Sequence, residues 1–210
     1  MKDKLFKKIK NKKEAGFTII ESLVAIFILV LSITGPMTFT QSGLRAAFVS
    51  RDQITAFYLA QDAIEYIKNV RDNNSINILN GNNSIDWLNE LEVCFVDLDV
   101  SIDNQSGCSV DTADELIRSC DSSQDGCLGP NADGSNDNPL KISNNPTVGY
   151  LGFSGTSDSI FSREIKMVQV DPAKPNEVEI NVFIRWNTNE TIGVRQIVVK
   201  EYMYNWATGF

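Results

Sequence analysis

The sequence contains no histidine. That absence removes the Ser-His-Asp triad, the Cys-His dyad and every His-ligated zinc or iron site, and with them much of the usual chemistry of enzymes. Also missing are a glycine-rich phosphate loop, a dinucleotide-binding fingerprint and any internal repeat. With 42% hydrophobic and 22% charged residues, the composition is that of an ordinary globular protein, which excludes wholesale disorder and collagen-like repeats. A length of 210 residues allows one domain with an appendage, or two small domains, and enough chain to bury a core. The last deficiency is local: from Ser22 to Leu44 not one residue is charged.

What charge there is lies unevenly. Residues 1–16 carry seven lysines (Lys2, Lys4, Lys7, Lys8, Lys10, Lys12 and Lys13) against Asp3 and Glu14, a net +5, and the remainder of the chain carries −13. A basic arm on an acidic body could address nucleic acid, but the uncharged run that follows it decides for a membrane. About 20 apolar residues in a helix span a hydrocarbon core of roughly 30 Å, and lysines gathered on one side hold that side in the cytoplasm. The chain therefore reads as a single-pass protein of the cytoplasmic membrane, amino terminus inside and the rest outside. Arg185, Arg195 and Lys200 then read as solvated strand positions in acidic surroundings, not as a nucleic-acid stripe.

Cys94, Cys108, Cys120 and Cys127 all lie in the outward part. An even count in an exported segment reads as two disulfides, whereas a metal site would call for paired C-x2-C spacing. Four cysteines permit three pairings, so connectivity is not fixed by the sequence. Pairing of sequence neighbours, Cys94 with Cys108 and Cys120 with Cys127, is the default.

The junction between arm and apolar run is unusual. A secretory signal peptide places its small-residue cleavage site after the apolar core. Here Gly16 precedes the core, and Glu21 interrupts it shortly after its start. An unpaired carboxylate in hydrocarbon costs up to about 3 kcal/mol, so Glu21 asks for a partner.

At these residues the chain resembles the type IV pilin-like family: type IV pilins, minor pilins, and the pseudopilins of type II secretion and DNA uptake. The resemblance rests on the Lys-rich leader, Gly16 as its last residue, Phe17 as the first mature residue, Thr18, and Glu21 in fifth mature position. It implies that a prepilin peptidase/methyltransferase cuts between Gly16 and Phe17 and N-methylates Phe17. It also implies that Glu21 pairs with an α-ammonium of its own or a neighbouring chain, and that the apolar helix assembles with other subunits. Gly35-Pro36 lies near, but not at, the place where many pilins carry a kinking proline. Proline there removes a helix hydrogen bond and bends or loosens the segment.

Farther on, apolar residues at spacings of three and four from Gln41 to about Arg71 predict an amphipathic continuation of the helix. Asp72-Asn-Asn-Ser and Asn80-Gly-Asn-Asn-Ser read as turns that end it. Val96, Leu98, Val100 and Ile102 alternate with polar residues, which predicts a half-buried strand, and residues 103–146 read as a long polar loop held by disulfides. Within that loop Asn131, Asp133, Ser135 and Asp137 place oxygen donors around a glycine, a weak calcium candidate without the bidentate glutamate of an EF-hand; a solvated loop is the preferred reading. Arg163–Val170, Val178–Trp186 and Ile192–Tyr204 predict an antiparallel meander whose apolar face must be covered by the amphipathic helix. Asn-x-Ser/Thr sequons at Asn73, Asn82 and Asn189 carry no weight by themselves.

The fold class expected is α+β, a long membrane-spanning helix packed on a carboxy-terminal antiparallel sheet. Its organisation is a leader (1–16), a transmembrane and assembly helix (17–44), an amphipathic helix (45–72) and an extracytoplasmic domain (73–210), with loop region 103–146 and meander 163–204. The function expected is that of a structural subunit, a minor pilin or pseudopilin, with lipid, a processing peptidase and other pilin subunits as partners. Neither a cofactor nor a small-molecule substrate is expected. The alternative is a filament-tip adhesin or DNA-capture pilin that binds through residues 103–146. A membrane-tethered enzyme finds no supporting constellation.

Overall fold

The computed structural model describes residues 16–82, 84–97, 105–120, 126–129, 137–143, 150–171, 173–187 and 193–207. The chain divides into two compact units, Met1–Phe48 and Val49–Phe210. One helix, α1 (Ile19–Leu79), contributes to both.

In the first unit every described residue, 16–48, is exposed, and α1 presents Leu23, Ile26, Phe27, Leu29, Leu31 and Ile33 on all sides. A helix apolar all round suits hydrocarbon, where each polar group must be satisfied within the segment. The six hydroxyls that α1 carries in this stretch meet that condition. Ser22, Ser32, Thr34, Thr38, Thr40 and Ser42 each donate to the carbonyl one turn earlier, at 2.7–3.3 Å. Pro36 withdraws the N–H that would reach Ser32, yet the helix runs through Gly35-Pro36 without a break.

In the second unit α1 becomes one-sided. Ala56, Ala60, Ala63, Ile64 and Ile67 are buried along one face, and the three alanines let the helix approach its sheet closely. The helix does not stop at Asp72-Asn-Asn-Ser but continues to Leu79. The reason is local: Asn74 and Ser75 are buried, and Asn74 Nδ2 donates to the Trp87 and Asn89 carbonyls, so turn-forming side chains are held by the following loop. The stop comes at Asn80-Gly81. Gly81, at φ +95°, donates to Ile78 O and Asn82 donates to Asn77 O, the paired bonds of a Schellman cap that favours glycine at this position.

Among the described residues eight strands follow: β1 (Cys108–Asp111), β2 (Leu116–Ser119), β3 (Lys141–Ile142), β4 (Leu151–Gly152), β5 (Ser157–Asp158), β6 (Phe161–Gln169), β7 (Glu177–Asn187) and β8 (Val194–Tyr204). They form an antiparallel sheet ordered β2-β1-β6-β7-β8 and a smaller one ordered β4-β3-β5. The meander β6-β7-β8 is as the alternation predicts, and Val178, Ile180, Val182, Ile184 and Trp186 are all buried on the face that packs with α1. One long amino-terminal helix on an antiparallel sheet is thus the architecture.

Three local expectations give way. Residues 92–94 form a 3₁₀ turn, Phe95 makes a single bridge to Met167, and Val96 and Asp97 lie outside any strand; residues 98–103 of the expected strand fall outside the described residues. The region 103–146 contains the β1-β2 hairpin and β3. Asp111 ends β1 fully buried, its carboxylate accepting from the N–H groups of Ala113, Asp114 and Phe153, which fixes the turn and docks β4 beside it. Arg185 is not solvated: its guanidinium binds Asp137 at 2.8 Å and Gly129 O at 3.2 Å. The disulfides join Cys94 to Cys108 and Cys120 to Cys127, the neighbour pairing.

One side chain ties helix to sheet. Arg163 of β6, with no exposed surface, donates to Leu59 O (3.0 Å) and Asp62 (3.3 Å) on α1 and to Val110 O on β1. Burial pushes its guanidinium below the usual arginine range, and Asp62 pulls it back. Nε finds no acceptor. Asp62 is 46% exposed at its side chain and can be rehydrated, whereas Arg163 cannot. Asp62→Ala should therefore cost more than Arg163→Met, about 3 kcal/mol against about 1, because only the first strands a buried charge. Urea unfolding of the full chain in detergent measures both, and the reverse order would mean that the pair does not carry the contact.

Candidate processing and assembly site

The residues singled out at the arm junction lie together at the start of α1. Gly16, Phe17 and Thr18 precede the helix, and nothing approaches within 4 Å of where a Gly16 side chain would sit. Phe17 is 79% exposed. Among the described residues, nothing covers Gly16 or Phe17.

Thr18 and Glu21 stand in an N-terminal cap. Thr18 Oγ1 accepts from the Glu21 N–H at 3.3 Å, so Thr18 is the cap residue and Glu21 occupies the third helical position. The spacing Thr-x-x-Glu is a readable capping signature, overlooked when Glu21 is considered only as a membrane charge. Its carboxylate in the first turn also meets the positive end of the helix dipole. Among the described residues neither an ion pair nor a hydrogen bond engages that carboxylate, so it remains available to a cation. Gly35 and Pro36 lie within the helix, exposed, with no side-chain neighbour at Gly35.

The remaining candidates lie in the second unit. The four cysteines are spent in the two disulfides. Of the calcium candidates, Asn131, Asp133 and Ser135 fall outside the described residues. Asp137 is engaged by Arg185 and by the Gly129 N–H at 2.7 Å, which leaves it poorly suited as a ligand. On the exposed side of β7 and β8, Glu179 accepts from Lys200 (2.9 Å) and Tyr202 (3.0 Å); the Lys200 hydrogen bond above all holds its carboxyl below the usual range.

A groove of about 860 Å³ runs between α1 and the edge strand β8. Ile54, Phe57, Tyr58 and Val198 line it while remaining 43–65% exposed. Sequence periodicity assigned these helix residues to a core; the sheet is too narrow to cover them, because β8 is its last strand.

A family model for the prokaryotic N-terminal methylation motif matches residues 11–35, which include Gly16, Phe17, Thr18 and Glu21. This motif supports a type IV pilin-like protein. Neither a curated protein nor a solved structure matches the chain. A prepilin-type motif implies a prepilin peptidase that processes the chain and pilin subunits with which it assembles. The motif and the apolar helix fit a membrane-anchored pilin-like protein. Thr18→Val should remove the cap at a cost of about 1 kcal/mol to the first turn. The Glu21 amide should then exchange with deuterium faster in detergent while amides beyond Ala25 are unchanged; unchanged exchange at Glu21 would show that the hydroxyl does not hold the turn.

Proposed function

We propose that this chain is a structural subunit and not an enzyme: a minor pilin or pseudopilin of a type IV pilus or type II secretion-like filament. It sits in the cytoplasmic membrane with its amino terminus inside, is cut between Gly16 and Phe17, and joins the filament through α1. The observation that carries this reading is the order of features at one junction. A +5 leader ends in an open Gly16, Phe17 follows, and a capped helix places Glu21 where its carboxylate lacks a partner among the described residues.

Charge explains the sequence of events. While the leader is attached, drawing several ammonium groups through lipid is prohibitive, so the chain stays pinned. Cutting removes that barrier and creates an α-ammonium opposite in sign to Glu21. In a low-dielectric helix bundle such a pair need not add net stability, but a mismatched subunit would bury an unpaired carboxylate at several kcal/mol, which sets axial register. The outer domain, with two disulfides and an elaborated loop region, supports a minor subunit over a bulk one.

Mass spectrometry of the mature amino terminus from cells tests the processing. A methylated Phe17 is expected, and an intact leader or a cut after the apolar run would move the chain to a plain anchor or a secreted domain. For the assembly role, Glu21→Ala should leave the outer domain folded and reduce recovery with other subunits in a filament pull-down by at least about tenfold, the scale of a lost buried partner. Recovery at the level of the unaltered chain would remove Glu21 from the register.

A further inference from the structure

The face of the long sheet opposite α1 holds a buried polar cluster. Lys166 on β6 and Asn181 on β7 are register partners, so their side chains leave the same face of adjacent antiparallel strands. In the next row Glu164 stands opposite Phe183. Lys166, Asn181 and Glu164 are 5%, 1% and 5% exposed. The ammonium nitrogen of Lys166 lies 3.7 Å from Glu164 Oε1 and 5.2 Å from the centre of the Phe183 ring. Glu164 Oε1 also accepts from the Gly107 N–H at 2.8 Å, which fixes the carboxyl in place. Asn181 Nδ2 is buried and meets no acceptor at hydrogen-bonding geometry, although the amide lies close enough to Glu179 to lower that carboxyl.

An amine, a carboxamide and a carboxyl buried together are costly for stability alone, since each loses water and the amide nitrogen is not repaid. They are also the complete set of groups for one condensation. We infer that Lys166 and Asn181 become joined by an intramolecular isopeptide bond, with Glu164 carrying the proton.

The step balances without any other reagent. The Glu164 carboxyl takes the proton from Lys166, leaving a neutral amine whose nitrogen attacks Asn181 Cγ. The Nζ–Cγ bond forms, Glu164 passes that proton to Nδ2 and takes the second proton from Nζ, the Cγ–Nδ2 bond breaks, ammonia leaves, and Glu164 ends protonated. Nothing is oxidised or reduced. Burial favours the transfer that starts it: desolvation pushes the Glu164 carboxyl up, against the opposing pull of the Gly107 N–H and of Lys166. The Phe183 ring shields the amine from water, and the strand register supplies the proximity that a bimolecular reaction lacks. Lys200 is the other register partner of Asn181, but it is 62% exposed and paired with Glu179 at 2.9 Å, so it keeps its proton. The product is a neutral amide that replaces a buried ion pair and fastens β6 to β7, strands that neither disulfide reaches.

The test is the mass of the full chain, expressed in bacteria, purified in detergent and reduced, followed by peptide mapping. The unaltered chain should be lighter than its processed sequence by the mass of one ammonia. A branched peptide should join the segments that contain Lys166 and Asn181. Lys166→Arg, Asn181→Ala and Glu164→Gln should each retain the ammonia mass. An unaltered chain of full mass overturns the proposal, as does a branch at Lys200 or elsewhere; a branch that survives in Glu164→Gln removes Glu164 from the reaction. Because the first readout is made on the unaltered chain, a variant that fails to fold does not blur the result.

Discussion

A single stretch of helical backbone has to satisfy itself in two different surroundings, and the rest of the structure follows from how it does so. Through the uncharged run the helix asks nothing of its neighbours: its hydroxyls return to its own carbonyls, its side chains are apolar on every side, and Thr18 caps its first turn. Beyond Val49 the same helix is made dependent. Alanines replace bulky residues along one face, and a sheet must lie against them. Glu21 is the exception within the first stretch, a group whose needs the helix itself does not meet.

The dependent half is held by more than apolar contact. Arg163 reaches from β6 to a helix carbonyl, a helix carboxylate and a strand carbonyl, and so fixes the helix against two strands at one point. At the far end Arg71 donates to Tyr204 O, and Trp206 donates to Asp72, which ties the last turns of the helix to the end of β8. Between these clamps the stripe of small residues sets the distance and the alternating residues of β7 fill it. Apolar burial supplies the attraction, about 1.5–3 kcal/mol for each large side chain, and the polar clamps choose the alignment.

Much of this was legible in the sequence. Period-two alternation identified β7 and its neighbours, the charge map located the helix, and the default pairing of neighbouring cysteines is the one observed, although the sequence left connectivity open. What could not be read shares a cause: a side chain whose role depends on a distant partner looks like its surface counterpart. Arg163 and Arg185 sit in strands as solvated arginines do, and only tertiary placement buries them. Asn74 and Ser75 look like turn formers until Trp87 and Asn89 present their carbonyls. The run at 96–103 alternates like a strand, yet its described start, Val96 and Asp97, follows the 3₁₀ turn that ends at Cys94 and joins no strand. At the junction the Thr18-to-Glu21 spacing was visible, and its capping geometry is as much a property of those residues as the charge that first drew notice.

The placement of the two disulfides along the chain has an effect on the order of events at synthesis. The bonds close separate rings, with sequence separations of 14 and 7, and neither ring encloses the other. Both rings also finish before β6 begins. A chain made from its amino terminus therefore presents each thiol to its correct mate first, and can be oxidised correctly while the long meander has yet to exist; breaking one ring later leaves the other shut.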